Sequence, residues 1–121
     1  MSKALTREEW ASRAPDLGRT LVELPQYDAH VYVRKVTAKE FEDWQDDAVA
    51  QEKKNPAERQ SVRALFVALC VCDENGKKFF NNATDIAVLG DRENETLEYL
   101  WTECRRVNGM DKKFREDAEK N

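Results

Sequence analysis

Apolar positions along this chain follow two different periods. Residues 20–36 alternate roughly every second position, and residues 37–110 recur at helical spacing. Thr20-Leu21-Val22-Glu23-Leu24 reads as a strand, and Pro25 to Asp28 as its turn. Ala29 to Val36 is the expected partner strand, with Val31 and Val33 or Tyr32 set against His30, Arg34 and Lys35. Two such strands joined by four residues predict an antiparallel hairpin. Alone a hairpin is marginal in water, so it must pack on something apolar.

Thr37-Ala38-Lys39-Glu40 is a capping box: the Thr37 hydroxyl accepts from the Glu40 amide while the Glu40 side chain reaches back. The helix it opens places Phe41, Trp44 and Ala48 on one face with Val49 beside them, and Glu42, Asp43, Asp46 and Asp47 opposite. Residues 37–54 carry six acids against three lysines. A solvated outer face is the ordinary explanation of that charge, and a docking surface the alternative. Pro56 disfavours helical geometry at Asn55 and ends this helix. The next is expected to start at Pro56 or Ala57, with Val62, Leu65, Phe66, Leu69 and Cys70 as its buried stripe. Val67, Ala68 and Val71 make it apolar nearly all round, as suits a central core helix. Asp73-Glu74-Asn75-Gly76 is a turn, and Lys77 to Phe80 returns extended.

A short helix is expected from Thr84 or Asp85, holding Ile86, Val88 and Leu89 and capped at its end by Gly90. Asp91 is expected to cap the last helix. There Leu97, Leu100, Trp101, Cys104 and Val107 give the strongest helical periodicity in the chain, and Asn108-Gly109 stops it, with Met110 folding back. Thr6 and Glu9 form a further capping box before a short helix that Pro15 and Gly18 follow. Residues 1–19 are thus expected to be an arm carrying Leu5 and Trp10, which docks on the body or on a neighbour. Residues 20–110 form one domain. Residues 111–121 are expected to be a polar, flexible tail with Phe114 as its one anchor. The predicted class is α+β, mainly α, with an N-terminal β-hairpin packed on a bundle of three to four helices.

Composition narrows the functional classes. Charged residues make up 36% of 121, which implies much solvated helix surface or disordered termini. The net charge is -4 and no Lys/Arg cluster is evident, so nucleic acid is not an expected partner. No apolar run approaches the ~20 residues of a membrane span, and the N-terminus lacks an apolar signal core; the expected location is the cytoplasm. Cys70, Cys72 and Cys104 are expected as buried free thiols. On a helix, Cys70 and Cys72 would point about 200° apart, too far to share one ion. His30, the single histidine, lies on a predicted strand without the orienting partner that a nucleophile's base needs. The Asp85/Asp91 and Asp43/Asp46/Asp47 groups are better explained by capping and solvation than by acid–base work. The four glycines are isolated, so no phosphate loop is formed. The chain is expected to be no enzyme and to need neither cofactor nor metal.

The order of these pieces carries a resemblance. Val31-Tyr32-Val33-Arg34-Lys35-Val36-Thr37-Ala38-Lys39-Glu40 runs a strand into a capped helix. Arg63 to Gly76 gives the apolar helix and turn, Asp85-Ile86-Ala87-Val88-Leu89-Gly90 the short helix, and Arg106-Val107-Asn108-Gly109-Met110 the terminal stop. In this layout the chain resembles the tail assembly chaperones of long-tailed bacteriophages and prophages, over roughly residues 31–110. The resemblance implies a non-enzymatic chaperone in the host cytoplasm. It would bind the long, helical, aggregation-prone tape-measure protein and keep it soluble during tail morphogenesis. In such families a programmed frameshift often adds a C-terminal extension that recruits the tail-tube protein, a second implied partner; Lys112-Lys113 is compatible with such a site. Several copies coating one long partner would gain by avidity, and homo-oligomerisation stays open.

Aromatic residues in helical stripes are core by default. Wide apolar helical faces also accept partner helices. Phe41, Trp44, Tyr99 and Trp101 are the candidate partner-binding residues. The rival readings are a structural head–tail connector or tail-completion protein, and a small prophage regulatory adaptor.

Overall fold

The computed structural model describes residues 2–110, so the expected tail at 111–121, with Phe114, lies outside the described residues. The architecture is α+β and mainly helical. In chain order it runs α1 (Arg7–Ser12), β1 (Thr20–Leu24), β2 (Ala29–Val33), α2 (Ala38–Glu52), α3 (Val62–Cys70), β3 (Val71–Cys72), α4 (Ala83–Gly90) and α5 (Asn94–Val107).

The hairpin forms as its alternation requires. β1 and β2 pair antiparallel with Val22 opposite Val31 and Leu24 opposite Ala29. Val22, Leu24, Val31 and Val33 are buried, while Leu21, Glu23 and His30 face outward. The turn is a 3₁₀ turn over Pro25–Tyr27 closed by Asp28 at φ 48°, a left-handed conformation that Asp tolerates better than most residues. β2 ends at Val33, three residues before its expected end. Arg34, read from its spacing as solvent-facing, is buried. Its guanidinium makes two bonds to Glu40, Nη1 to Oε1 at 3.1 Å and Nη2 to Oε2 at 2.8 Å, and Nη1 also donates to the Lys35 carbonyl. That fork satisfies a charge that burial would otherwise leave costly.

Glu40 serves α2 as well. The Thr37 hydroxyl accepts from the Glu40 amide at 3.1 Å and Glu40 Oε1 accepts from the Thr37 amide at 2.9 Å, completing the expected capping box. The inward stripe of α2 runs Phe41, Trp44, Ala48 and Gln51. Val49, expected beside that face, is 54% exposed. The next buried position is the polar Gln51, whose Oε1 accepts from the Gln60 amide at 2.8 Å.

Pro56 opens only a 3₁₀ turn, and α3 starts later than expected, with Ser61 as its cap accepting from the Ala64 amide. Its buried residues are Ala64, Phe66, Val67, Ala68 and Cys70, and it packs on α2, α4 and α5. It is the central core helix that its composition predicts. It also ends earlier than expected. Val71 and Cys72 leave the helix to form β3, antiparallel to β2 with Val33 opposite Val71 and Tyr32 opposite Cys72. The expected position of Cys72 on a helix is thus corrected. β2 has an open edge whose amides and carbonyls need partners, and a β-branched Val71 suits the pleat. Beyond it, Gly76 takes φ 82° in the expected turn, and Lys78 bridges back to Cys72.

α4 begins one residue before the expected start, with Asn82 accepting from the Asp85 amide. Gly90 belongs to the helix and has no positive φ, so it is not a left-handed cap. It sits where α4 crosses the start of α3: a Cβ there would lie 3.5 Å from Ser61 Cβ. Asp91 terminates α4 rather than capping α5, whose N-terminal flank is Glu93 without a side-chain cap. α5 buries Leu97, Leu100 and Cys104 as its period requires. Gly109 at φ 68° ends it. The Met110 amide reaches the Arg105 carbonyl at 2.8 Å and the Gly109 amide the Arg106 carbonyl at 3.2 Å, a Schellman closure. Asn108 ties this end to the hairpin: its Oδ1 accepts from the Val36 amide at 2.8 Å.

Candidate functional site

Three of the four candidate partner-binding residues meet around Phe66. Phe41 and Trp44 come from α2, Trp101 from α5, and the ring centroids lie 4.8 Å (Trp44–Phe66), 5.5 Å (Phe66–Trp101) and 6.4 Å (Phe41–Phe66) apart. Trp44 and Trp101 are 5.8 Å apart. The Trp44 indole donates to the Val62 carbonyl at 2.9 Å, fixing α2 against the start of α3. Arg105 stacks over the outer face of Trp101, 5.4 Å from its centroid. Phe41, Trp44 and Trp101 are half-buried and pack on the fully buried Phe66, so their first role is packing. Tyr99 lies apart, on another side of α5, where its hydroxyl donates to the Glu23 carbonyl at 2.6 Å and closes the helix onto β1.

Tyr99 borders a depression between the 25–27 turn and the start of α5, whereas of the three rings around Phe66, Trp44 also reaches a different, open groove. This groove, about 440 Å³, runs between α2, α3, the 78–81 segment and α4. Its apolar wall is Trp44, Leu65, Leu69, Phe80 and Ile86, and its rim on α2 is Glu40, Asp43 and Asp47, with Lys78 across from them. Glu40 is held by Arg34, which keeps its carboxyl down at about 2, well below the usual range. Asp43 pairs with Lys39 on the helix surface at 2.6 Å. The solvated acidic face of α2 is therefore also one lip of an amphipathic groove. Sequence reasoning missed this role of Leu65, Leu69, Phe80 and Ile86. The helical period assigns Leu65 and Leu69 to a buried stripe, and no local signal places Phe80 beside α2.

A second opening, about 320 Å³, is lined by the hairpin residues Leu24, Tyr27 and Val31, by Phe79 and Phe80, and by Val88 on α4. Arg92 is the charged residue on its border. Tyr27, Phe79 and Val88 are 48%, 45% and 57% exposed, so its mouth is apolar as well as its floor.

A scan against protein-family models, a search of curated proteins and a search of solved structures each return no match. What the site can do rests on its geometry.

Neither groove gathers a nucleophile with a base. His30 lies on the outer face of the hairpin, edge-on to Tyr32 with ring centroids 5.5 Å apart. Among the described residues no group of three or more His, Cys, Asp or Glu side chains is placed to hold a metal ion. Cys70, Cys72 and Cys104 are free and buried. A hydrogen bond with Cys70, reinforced by burial, pushes the Cys104 thiol up, and burial pushes the Cys72 thiol up. Thiols held protonated in this way are poor nucleophiles. No helix of the described residues is long and apolar enough to cross a membrane. Both grooves are equipped for apolar contact, one of them with acidic flanking charge.

Proposed function

We propose that this protein is a non-enzymatic binding protein for an amphipathic helix, acting as a tail assembly chaperone in the host cytoplasm. Its partner is the tape-measure protein, as the resemblance of its sequence layout to that family implies. The observation that supports this reading is the groove between α2, α3 and α4, with an apolar wall and an acidic lip. An amphipathic helix laid there would bury its apolar stripe against Leu65, Leu69, Phe80 and Ile86, and set Lys or Arg residues beside Asp43 and Asp47. The remaining acids of α2, Glu42, Asp46 and Glu52, face solvent and would keep a coated partner dispersed. One site of this size binds weakly, but many copies along a long helical partner multiply the effect. A tail-tube protein recruited through a frameshifted extension would be a second partner.

Coexpression with the long helical protein encoded next to it tests this. The expected outcome is that the partner stays soluble and copurifies. The double variant Asp43→Asn/Asp47→Asn should lower copurification by about tenfold while leaving the melting transition nearly in place, because both side chains are exposed and the surface Lys39–Asp43 pair contributes little. Equal aggregation of the partner with and without this chain would overturn the proposal, and would turn attention to a virion component or a regulatory adaptor.

A further inference from the structure

The two lips of the groove between α2, α3 and α4 carry opposite charge. Its α2 lip is Glu40, Asp43 and Asp47, which lie on one side of that helix over about two turns. These three acids are not equivalent. Glu40 is closed off: both its oxygens accept from Arg34, and Oε1 also takes the Thr37 amide. Asp43 has only the surface pair with Lys39, in which both side chains are more than half exposed, and such a pair holds a charge loosely. Asp47 is exposed and makes no ion pair among the described residues. The α2 lip thus offers two carboxylates, about one turn apart, to an incoming group.

Lys78 stands on the opposite lip. Its backbone is fixed, because it bridges to Cys72 in β3 and its carbonyl accepts from the Asn81 side chain at 3.2 Å. Its ammonium lies 3.9 Å from Glu40 Oε2, a long contact to a carboxylate that Arg34 already occupies. The Arg34–Glu40–Lys78 group therefore keeps a net positive charge, and Lys78 is its outermost member, 38% exposed against 9% for Arg34. Asp73 and Asp85 flank this segment, but they hold the Asn75, Lys77 and Asn81 amides and neither lines the groove. Between the two lips lies the apolar wall of Leu65, Leu69, Phe80 and Ile86.

We infer that Lys78 sets the specificity of this groove, and that the helix it takes is charged differently on its two flanks: basic on the flank facing Asp43 and Asp47, acidic on the flank facing Lys78. Lys78 has this role only if the groove binds a helix, as proposed above. An amphipathic helix laid apolar side down presents one flank to each lip. Lys or Arg on both flanks would set like charges against Lys78, and acids on both would set them against Asp43 and Asp47. Each mismatch is unfavourable, so the groove discriminates among helices that fit its apolar wall equally well.

Fluorescence anisotropy with two synthetic peptides tests this. Both are end-blocked, about 18 residues long so that a helix can form, and identical in composition and Leu stripe. The segregated peptide has all its Lys on one flank and all its Glu on the other; the mixed peptide has both on each. Wild type should bind the segregated peptide about fivefold tighter at low salt, with the difference fading at ~1 M salt. Asp43→Asn/Asp47→Asn should weaken the segregated peptide, which places it in this groove. Lys78→Gln should shrink the preference and Lys78→Glu should abolish it; comparing proteins cancels any difference in the peptides' own helicity. Lys78→Gln puts no new charge beside Glu40, so it carries the test even if Lys78→Glu is less stable. Equal affinity of the two peptides for wild type, or a preference untouched in the Lys78 variants, would overturn the role of Lys78 and leave helix binding standing. Binding of neither peptide would overturn both.

Discussion

Arg34 concentrates more of the structure on one side chain than any residue around it. Its fork to Glu40 joins the end of β2 to the start of α2, and Glu40 in turn completes the Thr37 capping box. Removing the carboxylate leaves a buried guanidinium half-paired. Glu40→Gln should cost about 2 kcal/mol in denaturant unfolding, below the ~3–5 of a fully buried pair because Glu40 keeps a quarter of its exposure. The pH dependence has a definite sign. Glu40 titrates near 2 folded and near ~4.3 unfolded, so its stabilisation is present above ~4.3 and is lost as pH falls towards 2. The glutamine variant should flatten that acid limb of the stability curve; an unchanged limb would mean other carboxylates govern it. Two glycines separate similarly. Gly76→Ala forces a side chain into φ 82° and should destabilise by about 1 kcal/mol. Gly90→Ala adds a methyl at ordinary contact distance from Ser61 inside a helix, and should be neutral or stabilising by ~0.5–1 kcal/mol.

At the scale of elements, α3 and β3 form one continuous apolar segment that divides between two architectures. Its helical part buries Phe66 and Cys70, and its last two residues complete the sheet. Because Cys70 and Cys104 are enclosed between this segment and α5, thiol labelling reports on its integrity. Ellman's reagent at pH 8 should label the native protein only at the rate of opening, and all three thiols at once in denaturant. Fast labelling of Cys70 or Cys104 in the native state would contradict the packing of α5 on α3. The capped helices need less help. Thr37→Ala should cost about 1 kcal/mol by loss of the hydroxyl that holds the Glu40 amide, read from the shift in urea midpoint.

The described residues form a small sheet and four helices closed around Phe66, with the acidic-lipped groove and the hairpin–α4 opening among the depressions on their outside and an arm whose helix buries none of its residues. The candidate aromatic residues show how little of a site is visible in a stripe. Phe41, Trp44 and Trp101 do converge, yet they converge inward, and only Trp44 also borders a groove. Trp44→Ala should therefore lower the melting temperature together with partner binding, whereas exposed rim substitutions should lower binding alone. Tyr99, two positions from Trp101, points elsewhere because a helix turns by about 200° over two residues.

The sequence by itself determined what forces of short range decide. Both capping boxes, the Pro25–Asp28 turn, the Gly76 turn, the Gly109 stop and the amphipathic stripe of α5 each depend on residues within a turn or two of one another. The tertiary structure decided what depends on a distant neighbour. Val71 and Cys72 became a strand because β2, forty residues earlier, had an edge to fill. Gly90 lies in α4 where it crosses Ser61 rather than as a left-handed cap, and Arg34 was drawn inside because Glu40 was there to meet it. Both grooves join residues from three or more elements, Phe80 bordering each, so no period along the chain encodes them.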